Sequence, residues 1–194
     1  MRGKNEFRFH PLNEEKSYGI VVPVVTTAEG RCLLFEVRSR SLHTQPLDLC
    51  FPGGRLLDGE APEDGAVRET KEELLLDDTQ LGPREALPAQ IGPDGGAVYP
   101  FSCELTEYYQ SFSKLEVETV LLIPIHELLR TPPERYGATL VTKPDPGFPF
   151  ALVHNGESHV FSEKRTEYLF YRHTKGTIWG LTANILKDFL EEEV

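Results

Sequence analysis

The chain has 194 residues, 39% of them hydrophobic and 26% charged, which is enough for one domain with a full apolar core. A net charge of −11 argues against a general nucleic-acid binder, since phosphate backbones need a basic surface. It leaves room for a phosphorylated small molecule, because a bound cation and a few arginines reverse the sign locally.

No segment approaches a membrane-spanning run. The three cysteines (Cys32, Cys50, Cys103) are odd in number and lack CxxC spacing, which argues against a disulfide framework or a zinc site. Residues 1–17 read as a polar arm without the apolar core of a signal peptide, so the cytoplasm is the expected compartment. Residues 18–194 are expected to form a single domain.

Tyr18 to Thr26 is an apolar, β-branched run that predicts a strand, with Pro23 implying an edge or a bulge. A turn at Ala28-Glu29-Gly30 leads to a second strand, Arg31 to Val37, and the pair reads as a hairpin. Leu47 to Phe51 is a short extended approach to the turn Pro52-Gly53-Gly54, a backbone able to bend tightly and expose a carbonyl.

The spacing then predicts a helix over Pro62 to Leu76. Pro62 suits its first turn, and Glu63 and Asp64 favour its positive end. Ala66, Thr70 and Leu74 follow at i+4 with Val67 beside them, a face that packs on a sheet. Gly65 has no explanation at this level; inside a helix it costs roughly 1 kcal/mol against alanine.

Glu69, Glu72 and Glu73 stand at i, i+3 and i+4, on one face, where like charges repel. A divalent cation makes sense of that cluster. Carboxylate oxygens suit Mg²⁺ or Mn²⁺, with the Gly54 carbonyl as a further hard ligand. Arg68 has two jobs open to it, pairing with Glu60 and orienting Glu69. A solvated charged helix is the plainer reading of any single pair here, and the joint spacing after the Gly-Gly turn argues against it.

Residues 82–96 hold several prolines and glycines and predict loop, with a short strand at Ala89 to Ile91. Val98 to Leu105 and Val117 to Ile123 predict strands, and His126 to Leu129 begins a short helix. Residues 131–150 read as loop. Ala151 to His154 and His159 to Phe161, around Asn155-Gly156, give a hairpin signal. Tyr168 to Tyr171 is a further strand, and Thr182 to Glu193 an amphipathic helix with Ile185, Leu186, Phe189 and Leu190 on one side.

Gly54, Glu60, Arg68, Glu69, Glu72, Glu73 and Leu76 together resemble the Nudix box, G-x5-E-x7-R-E-U-x-E-E-x-G-U, where U is a bulky aliphatic residue. Thr70 stands where an aliphatic is usual. Leu75 replaces the terminal glycine, which puts the left-handed helix cap in question. The resemblance implies an α/β/α sandwich with a mixed β-sheet between helices.

Upstream, Leu34, Arg38, Ser39 and the run Phe51-Pro52-Gly53-Gly54 are similar to the signature LLTxR(S/A)x3Rx3Gx3FPGG of Nudix coenzyme A pyrophosphatases. Phe35, Glu36, His43 and Leu47 depart from it. Ile178-Trp179-Gly180-Leu181-Thr182-Ala183 resembles an IWG-x-TA segment of the same subfamily. The matches reach from about Tyr18 to the last helix.

The resemblance implies metal-dependent hydrolysis of a diphosphate linked to another moiety. Its ligands would be Gly54, Glu69, Glu72 and Glu73, with Glu69 and Glu72 both open as the base and Arg68 holding a carboxylate. Glu60 would support Arg68, while Arg38, Ser39 and Gly53 would meet substrate.

For coenzyme A or its thioesters the products would be 3′,5′-ADP and (acyl-)4′-phosphopantetheine. ADP-ribose, NADH or another dinucleotide is the alternative substrate. A non-catalytic, ligand-sensing Nudix domain is the reading of a different class, against which the intact acid set argues. The expected partner is a small nucleotide rather than nucleic acid or membrane, and a homodimer is open. Trp179 reads as core, His43 as solvated, and Glu116 or Glu118 as a carboxylate from outside the box or a surface residue.

Overall fold

The computed structural model describes residues 16–194. All of the expected N-terminal arm except Lys16 and Ser17 lies outside the described residues.

The chain runs through β1 (Ser17–Thr27), β2 (Gly30–Arg38), β3 (Leu49–Cys50), β4 (Gly53–Arg55), α1 (Pro62–Leu74), β5 (Leu81–Ala86), β6 (Gln90–Ile91), β7 (Ala97–Leu105) and β8 (Val117–Pro124). It continues with α2 (Ile125–Arg130), β9 (Glu134–Leu140), β10 (Lys164–His173), β11 (Gly176–Trp179) and α3 (Gly180–Glu192).

Eight strands form a mixed sheet in the order β3-β2-β1-β7-β5, with β4 beside β1, β6 beside β7 and β8 beside β2. Only the β1–β7 pairing in it is parallel, running from Ser17 opposite Ala97 to Val25 opposite Leu105. A second, antiparallel sheet has the order β11-β10-β9.

Strand alternation divides the core between two helices. Val22 and Val24 of β1 with Leu33 and Phe35 of β2 pack with Ile185, Leu186, Phe189 and Leu190 of α3. Val21, Val25 and Leu34, on the other face, pack with Ala66 and Leu74 of α1 and its surroundings. One face of the sheet is thus covered by α3 together with α2 and the second sheet, and the other by α1. The result is the α/β/α sandwich with a mixed sheet.

At Gly19 a Cβ would meet the backbone of Ala66 and Pro62 at 2.6 Å, so its absence lets α1 lie directly on β1. Among the described residues no helix is long and apolar enough to cross a membrane.

Several expectations need correction. Pro23 sits in a central strand, neither at an edge nor at a bulge. Along one side β1 pairs β4 through Ile20 and β2 from Val24, and Pro23 falls in the gap between them. Residues 82–96 hold most of β5 as well as β6, because the polar segment Leu81–Ala86 is drawn into β7 by backbone pairing.

The segment 131–150 contains β9, whose exposed residues lack the apolar alternation that marks a strand. The hairpin around Asn155-Gly156 does not form. Asn155 does take the left-handed conformation that gives the hairpin signal, at φ 68°, but it joins two 3-10 turns, Phe150–Leu152 and Gly156–Ser158. Trp179 is half-buried and stacks on Phe170 with ring centroids 5.8 Å apart, while neighbouring Ile178 is the core residue.

Candidate active site

The glycine turn and α1 are adjacent because β4 and α1 both pack on β1. Pro52 donates no amide, yet its carbonyl accepts from the Val21 amide at 2.9 Å, which ties the turn to the sheet. Gly53 holds φ 141°, a backbone few other residues adopt, and a Cβ there would meet the Gly19 carbonyl oxygen at 2.3 Å. Its own amide donates to Oε2 of Glu73 at 2.7 Å.

One residue on, a Cβ at Gly54 would lie 2.4 Å from Oε2 of Glu69. The two glycines thus seat two of the helix's carboxylates.

Arg68 is the hub of the outer part. Its Nε and Nη2 grip both oxygens of Glu60 at 2.9 and 3.0 Å, Nη2 also reaches the Arg55 carbonyl, and Nη1 donates to Oε1 of Glu69 at 2.7 Å. Both proposed jobs of Arg68 are therefore filled at once by one planar fork. Glu60 also accepts the Leu57 amide at 2.8 Å. The bonds to Arg68, then that amide, hold its carboxyl down at about 2.

Gly65 finds its reason here. A Cβ there would meet Leu56 at 2.3 Å and Oε2 of Glu60 at 2.8 Å, so the Glu60 loop needs a glycine beneath it. Thr70, in the place of an aliphatic, is fully buried and donates its hydroxyl to the Ala66 carbonyl at 2.7 Å.

Glu72 is exposed, and its Oε1 lies 3.8 Å from Nη1 of Arg68. Glu73 is 8% exposed, and burial pushes its carboxyl up to about 8 despite the Gly53 amide. Among the described residues no three acidic side chains are gathered closely enough to hold a metal ion. Glu69 is turned to Arg68, Glu73 to Gly53 and Glu72 to solvent. The expected convergence on one point is therefore not preassembled.

The donors nonetheless suit a hard divalent cation. They are carboxylate oxygens beside a turn without a Cβ, and a further buried carboxyl, whose charge and that of Glu73 act on each other, has an oxygen without a partner.

That oxygen belongs to Glu36, which the sequence reading treated only as a departure from a signature. Glu36 is 2% exposed, its Oε1 has no hydrogen-bond partner, and burial, then the charge of Glu73, push its carboxyl well up. A signal was present: an acid inside the apolar run of β2, two residues from Leu34 and so on the α1 side of the sheet.

Arg38 lies beside these acids and donates Nε to the Thr44 carbonyl at 3.2 Å. Ser39 is buried, and its hydroxyl is shared with Ser41 at 2.9 Å. The Glu116 carbonyl accepts the Ser39 amide, and its side-chain charge acts on Glu36 and Glu73. Glu118 is gripped by Arg40, with Nη2 to Oε1 at 2.6 Å, and His43 is exposed.

The sandwich thus sets a glycine turn against a helix of carboxylates, with an arginine clamping one of them. Residues 16–140 match the NUDIX domain. The chain belongs to the Nudix family and is a Nudix hydrolase, a pyrophosphohydrolase of a family that generally uses divalent metal ions.

It is 26% identical over 179 residues to Nudix hydrolase 3 of Caenorhabditis elegans, covering 88% of this chain and 70% of that protein. It is 27% identical over 138 residues to the peroxisomal coenzyme A diphosphatase NUDT7 of Mus musculus, covering 70% of this chain but only 57% of that protein. A crystal structure of a MutT/nudix family protein from Enterococcus faecalis shares the fold, with TM-score 0.52 and 16% identity over 96% of this chain and 65% of that one.

Proposed function

We propose that the chain cleaves the diphosphate of coenzyme A or its thioesters, giving 3′,5′-ADP and (acyl-)4′-phosphopantetheine, with Mg²⁺ or Mn²⁺ as the ion. The observation that carries the chemistry is the seating of Glu69 against Gly54 and of Glu73 on the Gly53 amide. Support for the substrate comes from Leu34, Arg38, Ser39 and the Phe51–Gly54 run, together with the named activity of the mouse relative.

Glu69, Glu72, Glu73 and the Gly54 carbonyl would hold the ion, which supplies Lewis acidity and a more acidic water when bound. Glu69 or Glu72 takes the proton of the attacking water. Arg68 holds Glu69 and spends its other donors on Glu60 and the Arg55 carbonyl, which fixes a carboxylate of the site rather than the substrate. Arg38 donates Nε to the Thr44 carbonyl and lies against Cys50 and the buried acids, and a guanidinium so placed suits a phosphate oxygen. Ser39 contributes through the loop it ties down, since its hydroxyl is already engaged.

The second reading keeps this chemistry and changes the substrate to ADP-ribose, NADH or another dinucleotide. It is favoured by the departures at Phe35, Glu36, His43 and Leu47. Purified protein with Mn²⁺ should be assayed against coenzyme A, acetyl-coenzyme A, ADP-ribose, NADH and diadenosine polyphosphates. The highest kcat/KM is expected on coenzyme A or its thioester, and a higher value on any other compound overturns that assignment. No turnover of any diphosphate by the wild type would instead favour a sensor.

A further inference from the structure

Glu36 is the described side chain that the fold explains least. Along β2, Leu34 and Glu36 point to the α1 side of the sheet, and Leu34 packs there with Leu74, Val117 and Val120. Glu36 stands opposite Cys50 on β3 and opposite Val120 on β8. Its neighbours in the sheet are thus a thiol and a valine. Leu74 is preceded by Glu73, which is also buried, and the charges of Glu36 and Glu73 act on each other.

An aliphatic side chain would continue the core at this position. A purely structural acid would have found a donor for each buried oxygen, because unpaired buried polar atoms are costly. Glu36 does neither: its Oε1 is buried and without a hydrogen-bond partner. Without a proton, two buried carboxylates whose charges act on each other are relieved by a cation between them, and by a hard one given the all-oxygen donors.

We propose that Glu36 is a further carboxylate of the divalent-cation site, reaching it from the sheet while Glu69, Glu72 and Glu73 reach it from α1. The inference rests on the hydrolase reading above and adds to it a residue outside the box. It also gives a reason for the departure of this position from the coenzyme A signature. There a threonine stands, and here a carboxylate lies beside Glu73.

The test is a calorimetric titration of the full chain with Mn²⁺ alone, without substrate, accompanied by thermal unfolding with and without the ion. Wild type, Glu36→Gln, Glu36→Leu and Glu73→Gln are compared. Both Glu36 variants are expected to melt, metal-free, at or above the wild-type temperature, since each removes a buried acid. Both are expected to bind Mn²⁺ about tenfold or more weakly.

Wild-type affinity, within twofold, in Glu36→Gln alongside weakened binding in Glu73→Gln would overturn the proposal and leave the hydrolase site standing. Wild-type affinity in Glu73→Gln, or no binding by the wild type, would overturn both. Failure of both Glu36 variants to fold, with or without Mn²⁺, would assign the residue a structural role and overturn the proposal as well.

Discussion

The carboxylate of Glu69 lies so close to Gly54 that a methyl group on residue 54 would sit 2.4 Å from Oε2. The obstacle is the mobile end of a side chain, and no left-handed φ is required at Gly54. A Gly54→Ala substitution is therefore absorbed by moving Glu69 rather than by unfolding. We expect kcat/KM on the best substrate to fall about 100-fold, as for a site carboxylate displaced by about 1 Å, with the melting temperature nearly unchanged.

Gly53→Ala is the contrasting control. Its Cβ would strike the Gly19 carbonyl oxygen at 2.3 Å, backbone against backbone, from a φ of 141°. A loss of about 3 kcal/mol of stability is expected, measured by denaturant unfolding. Equal melting losses in the two variants would refute the distinction.

Leu75 gives a prediction of opposite sign. It ends α1 in the left-handed conformation, φ 55° and ψ 50°, with its amide donating to the Lys71 carbonyl. The cap that a glycine would supply is thus formed by a leucine that is 59% exposed and gains little from packing. Left-handed backbone costs a leucine roughly 1–2 kcal/mol, partly offset by the greater freedom of glycine in the unfolded chain. Leu75→Gly is expected to stabilise the chain by about 0.5–1 kcal/mol and raise the melting temperature by about 2 °C. A lower melting temperature would show that the side chain carries contacts that outweigh the strain.

That cap illustrates what could be read in advance. The offsets from Gly54 to Glu73 specified α1 and its acidic face because helix periodicity and metal chemistry constrain the same residues. The apolar runs of β1, β2, β7 and β8 are equally plain, since strands covered on both faces are mostly hydrophobic.

Elements held by backbone pairing alone were not legible. β5 and β9 are mostly exposed and carry almost no alternation, so their partners define them. The site divided in the same way. Arg68 with Glu60 and Glu69 could be foreseen from spacing. The role of Gly65 depended on a loop folding back over it, and Glu36 needed the register between β2 and the strands beside it.

The Arg68–Glu60 clamp should be visible in acid. Glu60 has its carboxyl held down at about 2, first by Arg68 and then by the Leu57 amide, against an ordinary value of 4.5. A carboxyl depressed in the folded state contributes stability above its unfolded value and loses it as pH falls through the folded one. Wild-type melting temperature should therefore drop between pH 4.5 and 2 more steeply than that of Glu60→Gln, the two curves converging at the acid end. Parallel curves would show that the pair adds nothing to stability. Arg68→Lys should lower kcat/KM at neutral pH, because an ammonium cannot grip Glu60 with two donors and hold Glu69 with a third in the same plane.

Glu73 makes the opposite prediction, and it bears on metal removal. Burial holds its carboxyl up at about 8, so the proton it keeps when folded favours the folded state at low pH. That contribution is full below about 4.5 and is lost as pH rises through 8. In chelator the melting temperature should fall from pH 6 to pH 8.5, and Glu73→Gln should flatten the fall. A divalent cation held by Glu73 would take the ionised carboxylate in place of the proton, and so would relieve the strain that the high-pH protein carries. The rise in melting temperature on adding Mn²⁺ should accordingly be larger at pH 8.5 than at pH 6 in the wild type. In Glu73→Gln the rise should be small at both. An equal rise at the two pH values in the wild type would mean that the ion is held without the buried glutamate.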